Sequence, residues 1–424
     1  MVPAASLSRE RFALLFAVML VAASGNTAMQ SLMPAIGREL GVADLWVAVA
    51  FSLSAVIWVV TAPHWARRAD HRGRRALMRL GLYGFIVSAL ICGLILAAGL
   101  HGLMSATIVF VVFVFGRAVY GAWGSASPPA VQAYIAARTE GEQRTAYLAA
   151  LSSSFGLGTI IGPAVAPLFI FEPLGLSGPL IVFAAIGVAV LAWVALRLPD
   201  DTPRCAARGE VVDYPSMGGF LVGSRERGDG GSRAGPGRLR WRDPRVLPWH
   251  IIGTVGGHGQ AALLGVIGFL VIDRSGVAPA QSQQSIAIVL MSGAGATLLA
   301  QWGLIPFLSL RPGQLVFWGL LAAAAGTLIT GFAESMYGIT LGFAVASVGF
   351  GLFRPGFTSG ASLAVRPDEQ NAVAGMVTSV NGVAYIAAPA VGVLLYGLWM
   401  PLPFAATAAM LAALALWVWL RVRG

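Results

Sequence analysis

Twelve apolar runs, each near the length that crosses a bilayer, decide what this chain can become. They fall at about 12–33, 45–66, 77–99, 105–135, 145–170, 177–197, 247–272, 284–307, 314–335, 338–364, 372–396 and 402–420. About 20 helical residues span the hydrocarbon core. The runs are too long for barrel strands and lack a two-residue period. Apolar residues make up 57% of the 424, charged residues only 11%, and mean hydropathy is +0.77. A soluble domain carries roughly 25% charged residues, so a soluble fold, a disordered chain and a disulfide scaffold are all excluded. The expected fold is all-α and integral to the membrane, with twelve transmembrane helices. Pro and Gly inside the runs are tolerated, because neighbouring helices satisfy the backbone groups that they free. Arg9 and Arg11 before the first run give it some features of a signal peptide. The run continues to Met33, so an uncleaved first helix is expected.

All 28 basic residues are Arg, and their placement sets the orientation. With a cytoplasmic N-terminus, 24 fall in cytoplasmic segments and two, Arg38 and Arg274, in outer loops; Arg117 and Arg354 lie within spans. This is the positive-inside pattern. It accounts for the +10 net charge without nucleic acid as a partner, and it predicts both termini on the cytoplasmic face of the inner membrane. The polar stretch 198–246, rich in Gly, Pro, Arg and Asp, reads as a flexible cytoplasmic linker. It divides the chain into an N-terminal six-helix bundle, 1–197, and a C-terminal one, 247–424.

The bundles read as diverged repeats. Gly41-Val42-Ala43 recurs as Gly276-Val277-Ala278, Glu142-Gln143 as Glu369-Gln370, and Pro163-Ala164-Val165 as Pro389-Ala390-Val391, in the same order and at nearly the same offset. Parallel repeats of this kind place a substrate site near the midplane, and rocking of one against the other gives alternating access.

Between the second and third runs stands Ala66-Arg67-Arg68-Ala69-Asp70-His71-Arg72-Gly73-Arg74-Arg75. A tight loop needs Gly73 for its backbone, and a carboxylate at a helix end can pair with nearby guanidinium groups. The fourth run carries Arg117-x-x-Tyr120-Gly121, and the fifth Gly158-x-x-x-Gly162-Pro163. A bare mid-span guanidinium costs roughly 2.5–3.5 kcal/mol, so Arg117 calls for a partner or a wet cavity. Small residues four apart let two helix backbones approach, which gives Gly158 and Gly162 a packing role as an alternative to a functional one.

In these three stretches, and over essentially its whole length, the sequence resembles the major facilitator superfamily, within it the twelve-helix drug:proton antiporters. Asp70, Gly73, Arg74 and Arg75 match the first motif of that family, while Ala66 and His71 depart from it. Tyr120 replaces the usual Gln of the second motif, and Ala166 and Pro167 stand where the third often has Gly-Gly. The resemblance implies that the Asp70 cluster latches the outward-facing state and that the Gly158–Pro163 stretch marks an exchanger.

Polar side chains inside the spans are candidates to line the substrate cavity. They are Asn26 and Gln30 in the first, His258 and Gln260 in the seventh, Gln301 in the eighth, Arg354 in the tenth, and Asn381 and Tyr385 in the eleventh. Tyr120, Trp123 and Met291 could add an adaptable apolar wall. No Asp or Glu lies mid-span; Asp44, Glu172, Asp273 and Glu334 fall at outer ends. Either a proton has another carrier, such as His258 or an edge carboxylate like Asp273, or transport is not coupled to protons, and cationic substrates are disfavoured against neutral or anionic ones. The expectation is a monomeric exporter of small amphipathic molecules exchanging them for protons, with a dedicated exporter of an anionic metabolite such as a carboxylate siderophore as the alternative. A membrane enzyme or sensor is disfavoured, since no nucleophile–base set, phosphate loop or metal spacing occurs. No cofactor or metal is expected.

Overall fold

The computed structural model describes residues 7–136, 138–139, 147, 151, 154, 157–199, 239–308, 310–366 and 369–421. The apolar runs are helices, because only a helix satisfies its own backbone within hydrocarbon. They are α1 Arg9–Glu39, α2 Asp44–Arg72, α3 Arg74–Leu100, α4 Ala106–Val119, α5 Ser127–Ala136, α6 Leu157–Phe169, α7 Gly178–Arg197, α8 Leu247–Ser275, α9 Gln283–Leu298, α10 Ile305–Leu308, α11 Pro312–Phe332, α12 Met336–Leu363, α13 Gln370–Leu398 and α14 Leu402–Arg421. A π turn, Tyr120–Gly124, follows α4, and another, Leu299–Leu304, joins α9 to α10.

Eleven helical stretches among the described residues are long and apolar enough to cross a membrane. Two of them are composite: Ala106–Ile135 runs from α4 through the π turn into α5, and Pro279–Leu308 takes in α9 and α10. The twelfth expected span, 145–170, is described as a continuous helix only over Leu157–Phe169. Most of the expected linker also lies outside the described residues. Its end is docked: Leu239 is buried, Trp241 packs on His250 at 5.2 Å, and Arg245 bonds both Asp243 and Glu369.

Helix ends follow local chemistry. The Ser8 hydroxyl accepts from the Arg11 N–H at the start of α1, which satisfies one of the orphan donors of a helix N-terminus. Gly41 after α1 and Gly276 after α8 both have φ +68°, a conformation that costs Gly little.

Packing depends on small residues, since lipid gives helices no hydrophobic reason to associate. Along α11 and α12 the backbones nearly touch: a Cβ on Gly342 would meet the Thr330 N at 2.6 Å, and one on Gly319 the Gly349 O at 2.7 Å. Larger side chains fill the remaining core, among them Phe113, Tyr134, Phe269, Phe353 and Phe404. Helices before and after the linker meet through α2 with α13, and through α1 with α8 and α9.

Candidate functional site

Arg117 lies in the last turn of α4 and is only 5% exposed. Its guanidinium carbon sits 4.7 Å from the Phe51 ring centroid and 5.1 Å from that of Tyr120. Nη1 faces the Met29 sulfur at 3.6 Å, while Nε is buried without a hydrogen-bond partner. No carboxylate among the described residues pairs with it. The negative faces of the two rings attract the cation, so it is held by quadrupoles and a polarizable thioether instead of a counterion. A further aromatic shell supports the cage: Tyr120 packs on Trp58 at 5.3 Å and on Phe85 at 6.2 Å, and Phe51 on Phe113 at 6.3 Å.

The π turn after Arg117 shifts the helical register and frees carbonyl groups. Side chains of α2 take them up. Ser54 donates to the Arg117 carbonyl at 2.9 Å, Thr61 to Gly121 at 3.0 Å, and the Trp65 indole to Ala122 at 2.6 Å. A Cβ on Gly121 would meet the Ser54 carbonyl oxygen at 2.6 Å, so glycine permits this contact. The sequence reading missed Ser54, Thr61 and Trp65. Hydroxyls and an indole N–H on an apolar helix were the only available signal.

The other cavity candidates separate. Tyr120 is buried in the cage, whereas Trp123 and Met291 are each 43% exposed. Tyr120 and Trp123 therefore do not share a wall, because the π turn points them differently. Asn26 is half-buried with Oδ1 unpartnered, while Gln30, one turn on, is exposed. His258 is half-buried, with Nδ1 on the Thr254 carbonyl of its own helix at 2.7 Å, and the neighbouring Gln260 has an unpartnered buried Oε1. Asn381 and Tyr385 are half-buried on α13, Tyr385 against a cluster of Ala261, Ala384 and Ala388. Gln301 is half-buried within the second π turn. Arg354 is half-buried, not buried as its mid-span position suggested; it lies about 100° round the helix from the fully buried Phe353.

Gly73 alone separates α2 from α3, with φ +85°. Asp70 lies near the end of α2, and its side chain, like those of Ala66 and His71, is outside the described residues. Arg74 opens α3, and Arg75 donates through Nη2 to the Ala195 carbonyl in the last turn of α7. A cation there also meets the negative end of the α7 dipole. Gly158 and Gly162 face α1: a Cβ on Gly158 would meet that of Ala23 at 2.5 Å, and one on Gly162 would collide with the Ser24 carbonyl and the Thr27 hydroxyl. Thr27 donates to the Gly158 carbonyl at 3.0 Å. Pro163 lies within α6, which tightens into a 3-10 turn at Ala166–Phe169.

At the opposite end of these helices from the Gly73 loop, one guanidinium joins three of them. Arg38 of α1 bonds Asp44 of α2 through Nε at 3.1 Å and Nη2 at 2.7 Å. It also bonds Asp273 of α8 through Nη1, and through Nη2 at 3.0 Å. The Tyr396 hydroxyl of α13 donates to Asp273 Oδ2 at 2.5 Å. Two more contacts cross the same seam: the Ala280 N–H donates to Glu39 at 3.2 Å, and Gln283 to the buried Ser31 hydroxyl at 3.3 Å. The ion pair was missed although the repeat offset pointed to it. Registering Gly41 on Gly276 also registers Arg38 on Asp273.

This architecture, helices wrapped around a caged cation with a polar seam between two groups of spans, is that of a membrane transporter. The family model for the Major Facilitator Superfamily matches residues 14–314, and the chain belongs to that family. It is accordingly a transporter and not an enzyme. It is 24% identical over 366 residues to Multidrug resistance protein 2 of Bacillus subtilis (strain 168), covering 85% of this chain and 81% of that one. Over 216 residues it is 26% identical to the probable actinorhodin transporter of Streptomyces coelicolor, covering 48% of this chain and 35% of that protein. Among solved structures, a bacterial homolog of the human lysosomal transporter Spinster, in an inward-facing and occupied conformation, has a TM-score of 0.69 at 11% identity, covering 97% of this chain and 96% of that chain. The human organic anion transporter MFSD10 has a TM-score of 0.62 at 17% identity, covering 97% and 100%. At such identities the likeness concerns the fold.

Proposed function

We propose that the protein exports small amphipathic molecules, neutral or anionic, across the cytoplasmic membrane by alternating access in exchange for protons. It acts as a monomer, with both termini and the 198–246 linker in the cytoplasm and the bundles 1–197 and 247–424 rocking about the seam. The names of the multidrug and actinorhodin relatives support export. The observation that carries the substrate class is the cage around Arg117, a buried cation with no carboxylate partner among the described residues. A fixed positive charge repels a cationic substrate and attracts an anionic or electron-rich one. The polar groups of α1, α8 and α13 fit a substrate layer. Asn26, His258 and Asn381 lie 12, 15 and 15 residues before Arg38, Asp273 and Tyr396. At about 1.5 Å per residue that puts all three roughly 18–22 Å deeper than the ion cluster.

Transport by the purified full chain in proteoliposomes, with an imposed pH gradient and a panel of anionic, neutral and cationic amphipaths, tests the reading. Expected is uptake driven by the gradient for anionic or neutral compounds. Preference for cations would overturn the substrate class, and indifference to the gradient the proton coupling. The orientation has its own check: labelling of Cys205 from outside intact cells should fail.

A further inference from the structure

At the end that carries Arg38, individual side chains join the two groups of helices directly. There the seam is layered. The ion pair stands at the surface, with Arg38 and Asp273 each about a quarter exposed. The Ser31–Gln283 hydrogen bond lies beneath it, and Gly268 of α8 packs so closely on Pro34 that an added Cβ would meet the ring at 2.7 Å. Arg38 is fixed to its own side by two bonds to Asp44 and lies 5.5 Å from the Phe269 ring centroid. The bonds to Asp273 are therefore the separable part of the cluster.

We propose that Asp273 is the proton-operated element of an outer latch: deprotonated, it binds Arg38 and holds the outer face shut; protonated from outside, it lets go and the face opens. The proposal rests on the alternating-access reading above and adds to it the group that admits the proton. The charge balance favours the assignment. One guanidinium serves two carboxylates, so the trio carries one excess negative charge, and a single proton makes it neutral. Placed on Asp273, that proton removes the charged partner across the seam and leaves the Arg38–Asp44 pair whole. Placed on Asp44, it would leave the link across the seam intact. The other charged or titratable groups facing the cluster are Glu39, occupied by the Ala280 N–H, the adjacent Arg274, and Tyr396 from α13. Glu334, two residues beyond α11, and Tyr337, at the start of α12, also stand at this end, but neither bonds to Arg38, Asp44 or Asp273; α9 and α14 bring no charged side chain to it. The partial exposure of the carboxylate gives outside water a direct route to it, as a loading site needs.

The test reads distance, because thiol reactivity itself changes with pH. In the full chain with Cys92 and Cys205 replaced by Ala, spin labels at Leu103→Cys, in the α3–α4 loop, and Tyr337→Cys, in the first turn of α12, report from exposed positions on either side of the seam. Double electron–electron resonance in lipid nanodiscs should show one short distance near pH 8, and a longer population at least about threefold larger near pH 4, where carboxylates protonate. Asp273→Asn should show the long population at both pH values, whereas Asp44→Asn should keep the response. Arg38→Gln, an independent variant, should also be open at both. An unchanged pH response in Asp273→Asn, or a closed face at both pH values in Arg38→Gln, overturns the latch. The transport assay separates the two readings. Proton-driven export with no change in distance sinks the latch alone; a responsive distance without proton-driven export sinks the coupling and leaves the latch standing.

Discussion

Arg38 and Asp273 occupy the same position in the two repeats, 235 residues apart, and grip one another across the seam. Two chain segments related by a two-fold axis bring equivalent residues together where they run close to that axis. Identical charges would repel there, whereas Arg38 and Asp273 are opposite and attract. Gly41 and Gly276, three residues on from each, share φ +68°.

Arg117→Ala should lower the transport rate by about tenfold or more while insertion is unharmed, since the change removes a charge costing about 2.5–3.5 kcal/mol in mid-span. Arg117→Lys should recover only part of the activity, because an ammonium has no planar face to lay against both Phe51 and Tyr120. Initial rates at matched protein levels decide it; full activity in the Ala variant would remove Arg117 from the pathway.

Gly73→Ala should lower stability by about 1–3 kcal/mol, the cost of holding a residue with a Cβ in a backbone region that Gly alone enters readily. The φ of +85° in the one-residue link between α2 and α3 is the reason. Thermal unfolding in detergent measures it; an unchanged melting temperature means that the link relaxes.

Gly162→Ala should cost about 1–3 kcal/mol through overpacking, as the new methyl meets the Ser24 carbonyl and the Thr27 hydroxyl. Gly295→Ala is the control. Nothing lies within 4 Å of its added Cβ, and the helix gains propensity. Equal melting temperatures for the two variants would show that α1 and α6 can move apart freely.

The Arg245 cluster predicts where pH does not act. Arg245 is the main cause that holds the carboxyls of Asp243 and Glu369 down at about 2, with the Arg366 N–H helping at Glu369. A carboxylate lowered in this way stabilises the fold at every pH above its unfolded value near 4. That contribution fades only as pH falls from there toward 2. Glu369→Gln should therefore lower the melting temperature at pH 7 yet leave the transport profile between about pH 5 and 8 unchanged in shape. A displaced profile would place the coupling group at this end instead of at Asp273.

Much of the fold was legible in the sequence, because a bilayer admits few solutions. Apolar runs of about 20 residues had to be helices. The stretch around Arg117, Tyr120 and Gly121 announced itself because a charge in hydrocarbon needs a reason. The sequence also held the repeat, through Gly41-Val42-Ala43 and its echo at Gly276. Only the tertiary structure decided what surrounds each polar group. A caged cation and a cavity cation look alike along the chain, and the cage at Arg117 is made by Met29, Phe51 and Tyr120 from three separate segments. The π turn that divides Tyr120 from Trp123 depends on hydroxyls and an indole of α2 donating to the freed carbonyls. Hydropathy fixes which segments enter the membrane, because each pays its transfer cost alone. Which charges meet is a matter of distance, and distance between helices exists only once they have packed.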